Sequence, residues 1–311
     1  MGSSGSTPEV RAEPSTTDLA ELLQAIERLS VFHLGFQHQW RNIDWGQKAA
    51  LKQRLESFSL SRTHVQFIKI LLVGEVGVGK SSFINSVSSA LQGRITSGAL
   101  ADSSAAHSST SFTQRLRTHR VRTANGLLPF ALCDTMGLES LAGSLPEDII
   151  NAIFGHVKEG YRFDHKNAVA QDSEHYARNP DLCDKAFCVV YIIAADKVNV
   201  IDERLVEKFR KIRKIISEKG IPQVIVMTRV DEACPLVKND LKMIYNSRRI
   251  RRKMEMCSDM LGVAMSFIFP VKNYHEEIDT DDDMDVLILK AFEQIVHLAD
   301  DRLMNETDDR C

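Results

Sequence analysis

The chain has no apolar run approaching the ~18 residues of a membrane-spanning helix, and its start has no hydrophobic segment of the kind that opens a secretory signal. No integral membrane association is therefore expected. Its six cysteines, Cys133, Cys183, Cys188, Cys234, Cys257 and Cys311, show neither Cys-x-x-Cys nor Cys/His ligand spacing. That excludes a zinc site and a disulfide framework, and leaves reduced thiols of cytosolic type. The histidines lack ligand spacing as well. An excess of charge is also missing, since the net charge is −3 and the pI is near 6.4. No global electrostatic force thus favours nucleic acid or an anionic membrane as a partner. The acids of Asp279-Thr280-Asp281-Asp282-Asp283 begin like a calcium loop, but Met284 stands where glycine is required and Lys290 where the bidentate glutamate belongs. Calcium is excluded, and these acids are expected to favour the positive end of a following helix.

What is present is length and apolar content: 311 residues, 43% hydrophobic, enough for a substantial core. The expectation is one α/β domain with an N-terminal helical extension. The first residues, 1–18, are too polar to offset the entropy of ordering and are expected to be disordered. Met1-Gly2-Ser3-Ser4-Gly5-Ser6 fits an N-myristoylation pattern, an expression-tag remnant and a plain disordered start, and no polybasic cluster follows to help a single acyl chain hold. Residues 19–61 form the extension. Leu19, Leu22, Leu23, Ile26 and Leu29 give one amphipathic helix and Ala49 to Phe58 a second, with Trp40 and Trp45 between them read as packing anchors in preference to a partner site. Residues 62–304 hold the main domain, and 305–311 are a flexible tail.

The main domain opens with Ile68, Ile70, Leu71, Leu72 and Val73, a buried strand that runs directly into Gly74-Glu75-Val76-Gly77-Val78-Gly79-Lys80-Ser81. This fills the pattern G-x-x-x-x-G-K-[ST], whose backbone N–H groups ring the phosphates of a nucleotide triphosphate. The glycines permit positive φ and close approach. Lys80 brings charge to the outer phosphates, Ser81 offers its hydroxyl to Mg²⁺, and the helix through Ser82 aims its N-terminus at the same anion.

Downstream, Gly93 to Ser111 reads as a long mobile loop. Thr113 to Arg122 and Leu127 to Cys133 form a hairpin around Asn125-Gly126. Ser144-Leu145-Pro146-Glu147 reads as a capping box that opens a helix, and Gly160 to Asp184 shows no period. Ala186 to Ala194 is a strand covered on both faces, Asp202 to Lys219 a helix, and Gln223 to Thr228 a strand. Val237 to Leu261 reads as a basic helix, Met265 to Phe269 as a strand and Asp285 to Leu303 as a last helix. The alternation predicts a P-loop GTPase-like three-layer α/β fold, its sheet mostly parallel with one antiparallel edge strand.

Three further elements stand at predicted strand ends, where such sheets bind ligands. Asp134-Thr135-Met136-Gly137 matches the D-x-x-G of GTPases, with Asp134 toward Mg²⁺ and the Gly137 N–H toward the γ-phosphate. Thr228-Arg229-Val230-Asp231 resembles the [NT]-K-x-D base-reading element. Asp231 can accept from both N1–H and the 2-amino group of guanine, and Arg229 can lay its stem or guanidinium over the base. In Val271-Lys272-Asn273, backbone N–H groups can meet guanine O6. Thr110 is the candidate to close over Mg²⁺ and the γ-phosphate, with Thr113 the alternative, and His107 is the one histidine in that region. Together these select GTP over ATP.

Gly79-Lys80-Ser81-Ser82-Phe83-Ile84-Asn85-Ser86, the strand Leu128 to Asp134, Asn273-Tyr274, Asp285 to Leu289, and the Trp40-Arg41 and Trp45 segment resemble the interferon-induced protein 44 family, from about Trp40 to Leu303. That resemblance implies a cytoplasmic protein of the interferon-stimulated antiviral response with a GTPase-like domain. Leu138, directly after D-x-x-G, has no group to orient an attacking water. Val76 fills the third loop position, and the loop contains no arginine. GTP/GDP binding with weak or partner-dependent hydrolysis is the expectation. A scaffold whose nucleotide site is structural is the alternative. Protein partners are expected, a nucleotide-dependent homo-oligomer among them. The run Arg248-Arg249-Ile250-Arg251-Arg252-Lys253 reads as a solvated helix face or a nucleic-acid patch, the former preferred.

Overall fold

The structure, a computed structural model, describes residues 35–62, 65–99, 114–140 and 143–308. The expected helix from Leu19 to Leu29 lies outside them, as do His107, Thr110 and Thr113.

Six strands form one sheet: β1 (Ile68–Gly74), β2 (Arg117–Thr123), β3 (Gly126–Asp134), β4 (Ala186–Ala194), β5 (Gln223–Thr228) and β6 (Ile268–Pro270), in the order β2-β3-β1-β4-β5-β6. All neighbours run parallel except β2 and β3, the antiparallel edge pair. The apolar runs explain the order. Every residue of β4 is buried, as a strand covered on both faces requires, whereas β2 shows polar residues to solvent and can sit only at an edge.

Among the described residues six helices of eight residues or more pack around the sheet: α1 (Lys48–Glu56), α2 (Lys80–Gln92), α3 (Pro146–Ile153), α4 (Glu203–Glu218), α5 (Arg248–Leu261) and α6 (Asp282–Asp308). α1 and α2 pack on α6, while α3 and α5 pack on α4. α1 belongs to the same apolar core as the sheet, because Leu51 and Leu55 are buried in it. At roughly 2–5 kcal/mol for truncating one such leucine, α1 is an integral part of the domain. The tryptophan segment packs as expected: Trp40 meets Tyr245 edge to face, and the Arg41 guanidinium lies over both rings while donating to the carbonyls of Met265 and Ile268.

Several local expectations change. The Ser144 hydroxyl does not cap α3, whose N-cap is Leu145; it donates to the Met136 carbonyl. The stretch from Val237 to Leu261 is not one helix. A turn of helix (Pro235–Asn239) and a 3-10 turn (Leu241–Tyr245) precede α5, because Asp240 accepts from Lys242 N–H and Ser247 from Ile250 N–H, competing locally with helix continuation. Met265–Phe267 is a 3-10 turn, so β6 keeps only three residues. α6 continues past Leu303 into the stretch expected to be a tail.

The loop after α2 is held at its start. Asn85 both donates to and accepts from the Ala99 backbone, and Ser89 meets Thr96. Buried Asp148 accepts from the Tyr161 hydroxyl and the Val169 N–H, tying the irregular 155–184 region to α3. In the basic run, Arg248 and Arg251 stack on Phe36, and Lys253 is buried against Asn199.

Candidate functional site

β1 ends in Gly74, and the chain turns through the phosphate loop into α2. Gly77 and Gly79 have φ of +72° and +93°, the left-handed backbone that non-glycine side chains resist. A Cβ on Gly74 would come 2.4 Å from the Ile192 carbonyl oxygen, so only glycine passes β4 there. Gly79 is the N-cap of α2 with no side chain on the helix's first N–H groups, which leaves them for an anion.

Three successive loop carbonyls are held from behind by three different side chains. Arg229 Nη2 donates to the Gly77 carbonyl (2.5 Å), Thr228 Oγ1 to that of Val78 (2.6 Å) and Asn273 Nδ2 to that of Gly79 (3.1 Å). A trans peptide points its C=O and the following N–H in opposite directions. Fixing these carbonyls toward the sheet therefore turns the N–H groups of Val78, Gly79 and Lys80 to the other side as a row of donors. Lys80 Nζ bridges the carbonyls of Gly74 (3.2 Å) and Glu75 (2.9 Å). Burial lowers its pKa, opposed by Asp134, Glu75 and Glu139, and burial raises that of half-buried Glu75.

Ser81 Oγ donates to Asp134 Oδ2 at 2.6 Å, bringing the loop's hydroxyl and the D-x-x-G carboxylate together at its rim. Thr135 donates to the Leu72 carbonyl and is fully buried. Gly137 lies against the loop so closely that a Cβ there would meet Val76 Cγ2 at 2.4 Å, and the Leu138 N–H donates to the Gly74 carbonyl (3.0 Å). The Leu138 side chain is buried, and Lys208 from α4 donates to the Glu139 carbonyl.

On the side predicted to meet the base, Arg229 is the one non-glycine residue with positive φ (+54°) among those described. Its guanidinium is taken by the Gly77 carbonyl, with Asp196 and Glu232 3.7 Å away. Asp231 follows in the helical turn Val230–Ala233. Lys272 lies in the field of Asp231 and pairs with Glu277 at 2.8 Å. Ser82, on the first turn of α2, is half-buried. The structure thus brings the predicted residues Gly74 to Ser82, Asp134, Gly137, Thr228, Arg229, Asp231, Lys272 and Asn273 to one end of the sheet, with Thr110 outside the described residues. The bracing roles of the Thr228 and Asn273 side chains were missed, because nothing in a strand-end motif says which way its hydroxyl or amide turns.

The sheet order, the glycine cradle and the strand-end elements define a P-loop GTPase domain. The family model described as "50S ribosome-binding GTPase" matches residues 69–229, and the chain belongs to this family. The resemblance to the interferon-induced protein 44 family also holds. The chain is 33% identical to human interferon-induced protein 44 over 265 residues, covering 82% of this chain and 59% of that protein. To human interferon-induced protein 44-like it is 33% identical over 243 residues, covering 77% and 53%. The chain thus spans less than two thirds of these relatives. Among solved structures, Toc33 from Arabidopsis thaliana in complex with GDP and Mg²⁺ aligns with a TM-score of 0.43 and 14% identity, over 82% of this chain and 91% of that one. Among the described residues no helix is long and apolar enough to cross a membrane.

Proposed function

We propose that this chain binds GTP and GDP with Mg²⁺, that it hydrolyses GTP slowly or only with a partner, and that it acts in the cytoplasm in the interferon-induced innate antiviral response. The bracing of the Gly77, Val78 and Gly79 carbonyls is the observation that carries the reading. It turns a row of N–H groups outward, and such a row suits an anion. Lys80 then adds charge at the β- and γ-phosphates. Asp231, carried on the element whose neighbours hold the loop, accepts from guanine N1–H and the 2-amino group, a donor pair that adenine lacks. Lys272 and the backbone at Asn273 close the base side.

The donors at the rim fit a magnesium ion. Ser81 and Asp134 are hard oxygen ligands already in contact. They would hold the ion together with Thr110, and a bound ion neutralises phosphate charge. Gly137 is packed on Val76 beside the loop, where its N–H would meet the γ-phosphate. Two residues support slow turnover: the position that orients water in Ras-like proteins holds a buried leucine, Leu138, and Val76 stands where an inserted arginine would need glycine. Nucleotide state would then act through the D-x-x-G turn and the Thr110 loop on a protein partner, a second copy included.

Titration of the full chain with GTP, GDP and ATP, with and without Mg²⁺, tests the reading. Guanine nucleotides should bind at least tenfold more tightly than ATP, about 1.4 kcal/mol. Equal affinity for ATP, unchanged by Asp231→Asn, would overturn the base assignment.

A further inference from the structure

Behind the base side of the site lies a second line of buried polar contacts, and it begins outside the strand-and-helix unit that carries the motifs. Tyr274 follows Asn273, whose amide braces Gly79. The Tyr274 N–H donates to Ser86 Oγ at 3.0 Å, and Ser86 is a fully buried residue of α2, the helix that begins at Lys80. The Tyr274 hydroxyl donates to Asp285 Oδ1 at 2.7 Å and accepts from the Asp281 N–H at 2.8 Å. Asp285, at the start of α6, is fully buried. Its other oxygen lies 2.7 Å from Lys48 Nζ, on α1, and the same ammonium reaches Asp282 at 2.7 Å.

A carboxylate with no solvent access stays ionised only if a cation and hydrogen-bond donors replace water. Here the cation comes from α1 and the hydroxyl donor from the residue beside the nucleotide loop. The three groups therefore constrain one another. Without Lys48 the buried Asp285 carboxylate loses its cation, and the rearrangement that follows changes what the Tyr274 hydroxyl can donate to. Tyr274 is attached on one side to Asn273 and Gly79 and on the other to the phosphate-loop helix, so a shift there reaches both halves of the site.

We propose that Lys48, Asp285 and Tyr274 are positioning residues for the nucleotide, through which α1 helps set the geometry of the 271–274 loop. This rests on the nucleotide reading above and adds that the segment before β1 is part of the recognition unit. The competing explanation is that Lys48 merely fastens α1 to α6. A second contact separates the two. Arg54 Nε donates to Glu293 Oε1 at 2.6 Å, joining the same two helices with no link to Tyr274.

The test compares Lys48→Met, Arg54→Met, Tyr274→Phe and Lys48→Arg in the full chain, reading thermal stability and the affinities for Mg·GDP and Mg·ADP. Both methionine variants should lower the melting temperature. Lys48→Met and Tyr274→Phe alone should weaken GDP by about tenfold and narrow its preference over ADP, as loss of an orienting partner does elsewhere. Lys48→Arg should restore both. Tyr274→Phe keeps the ring and the Ser86 bond, so it reports on the loop even where a charge deletion unfolds the chain. Equal destabilisation by the two methionine variants, with GDP affinity unchanged in Lys48→Met and in Tyr274→Phe, would overturn the proposal. Wild-type protein that binds no guanine nucleotide would instead overturn the reading on which it rests.

Discussion

Replacing Thr228 by valine removes one hydroxyl and almost no volume. Thr228 is fully buried and its hydroxyl donates to the Val78 carbonyl at 2.6 Å. In the valine variant that carbonyl faces a methyl group, and leaving a buried acceptor without a donor costs about 1–3 kcal/mol. How that cost divides decides the assay. Without nucleotide the loop can relax, turn the carbonyl toward water and recover part of the loss. Binding a phosphate pulls the Gly79 N–H outward and forces the carbonyl back, so the recovered part reappears as lost affinity. If about half is recovered, Mg·GDP binding weakens by roughly twofold to twelvefold and the nucleotide-free protein loses about 1 kcal/mol. Isothermal titration and urea unfolding measure the two shares. Thr228→Ser keeps the hydroxyl and should stay near wild type in affinity. A valine variant with wild-type GDP affinity and a full stability loss would show that the carbonyl bracing does not shape the phosphate cradle.

Other outcomes follow from the same geometry. Lys80→Met removes a buried cation whose pKa is lowered by burial, so the nucleotide-free protein should melt at the same temperature or a few degrees higher while Mg·GTP binding is lost, as scanning calorimetry with and without nucleotide would show. Leu138→Gln should not rescue hydrolysis, because that side chain is buried; it should cost about 2–4 kcal/mol, with single-turnover rates staying below about 1 s⁻¹, and a clear acceleration would refute the argument. Glu277 is opposed by burial but held down to about 2 by the His275 N–H and the Lys272 ammonium. Its folded pKa lies below the unfolded one, so its contribution is present above pH 4.5 and fades as the pH falls toward 2. After allowance for its partial exposure it is worth about 1 kcal/mol, and the stability difference between wild type and Glu277→Gln should shrink over that range in urea titrations.

The residues that the sequence made legible are those whose requirement is local. A strand covered on both faces needs an unbroken apolar run, and β4 spans its run from Ala186 to Ala194 while β5 adds one polar residue at each end of Val224 to Met227. A phosphate loop needs glycines at fixed spacing, and Gly77 and Gly79 have the positive φ that this spacing implies. Less legible were residues that face two possible uses. Ser144 has the spacing of a capping box, yet its hydroxyl satisfies the Met136 carbonyl, which lies in irregular backbone after β3 and needs a donor. Asp240 and Ser247 sit inside a helical period and break it by capping from within.

The bracing side chains were the hardest to foresee, and the reason bears on how the site works. Thr228, Arg229 and Asn273 stand 150, 152 and 194 residues from the carbonyls they hold, so no local pattern records the pairing. On the proposed reading each also belongs to an element that meets the base. A chain that must present N–H groups to phosphate has to satisfy the opposite carbonyls with donors from somewhere. Here they come from the base-side loops. The phosphate cradle and the base pocket are therefore one hydrogen-bonded unit, and a substitution made to alter base preference at Arg229 or Asn273 should change phosphate affinity with it. An Arg229→Ala variant that lost guanine preference while keeping wild-type affinity for inorganic triphosphate would break that coupling.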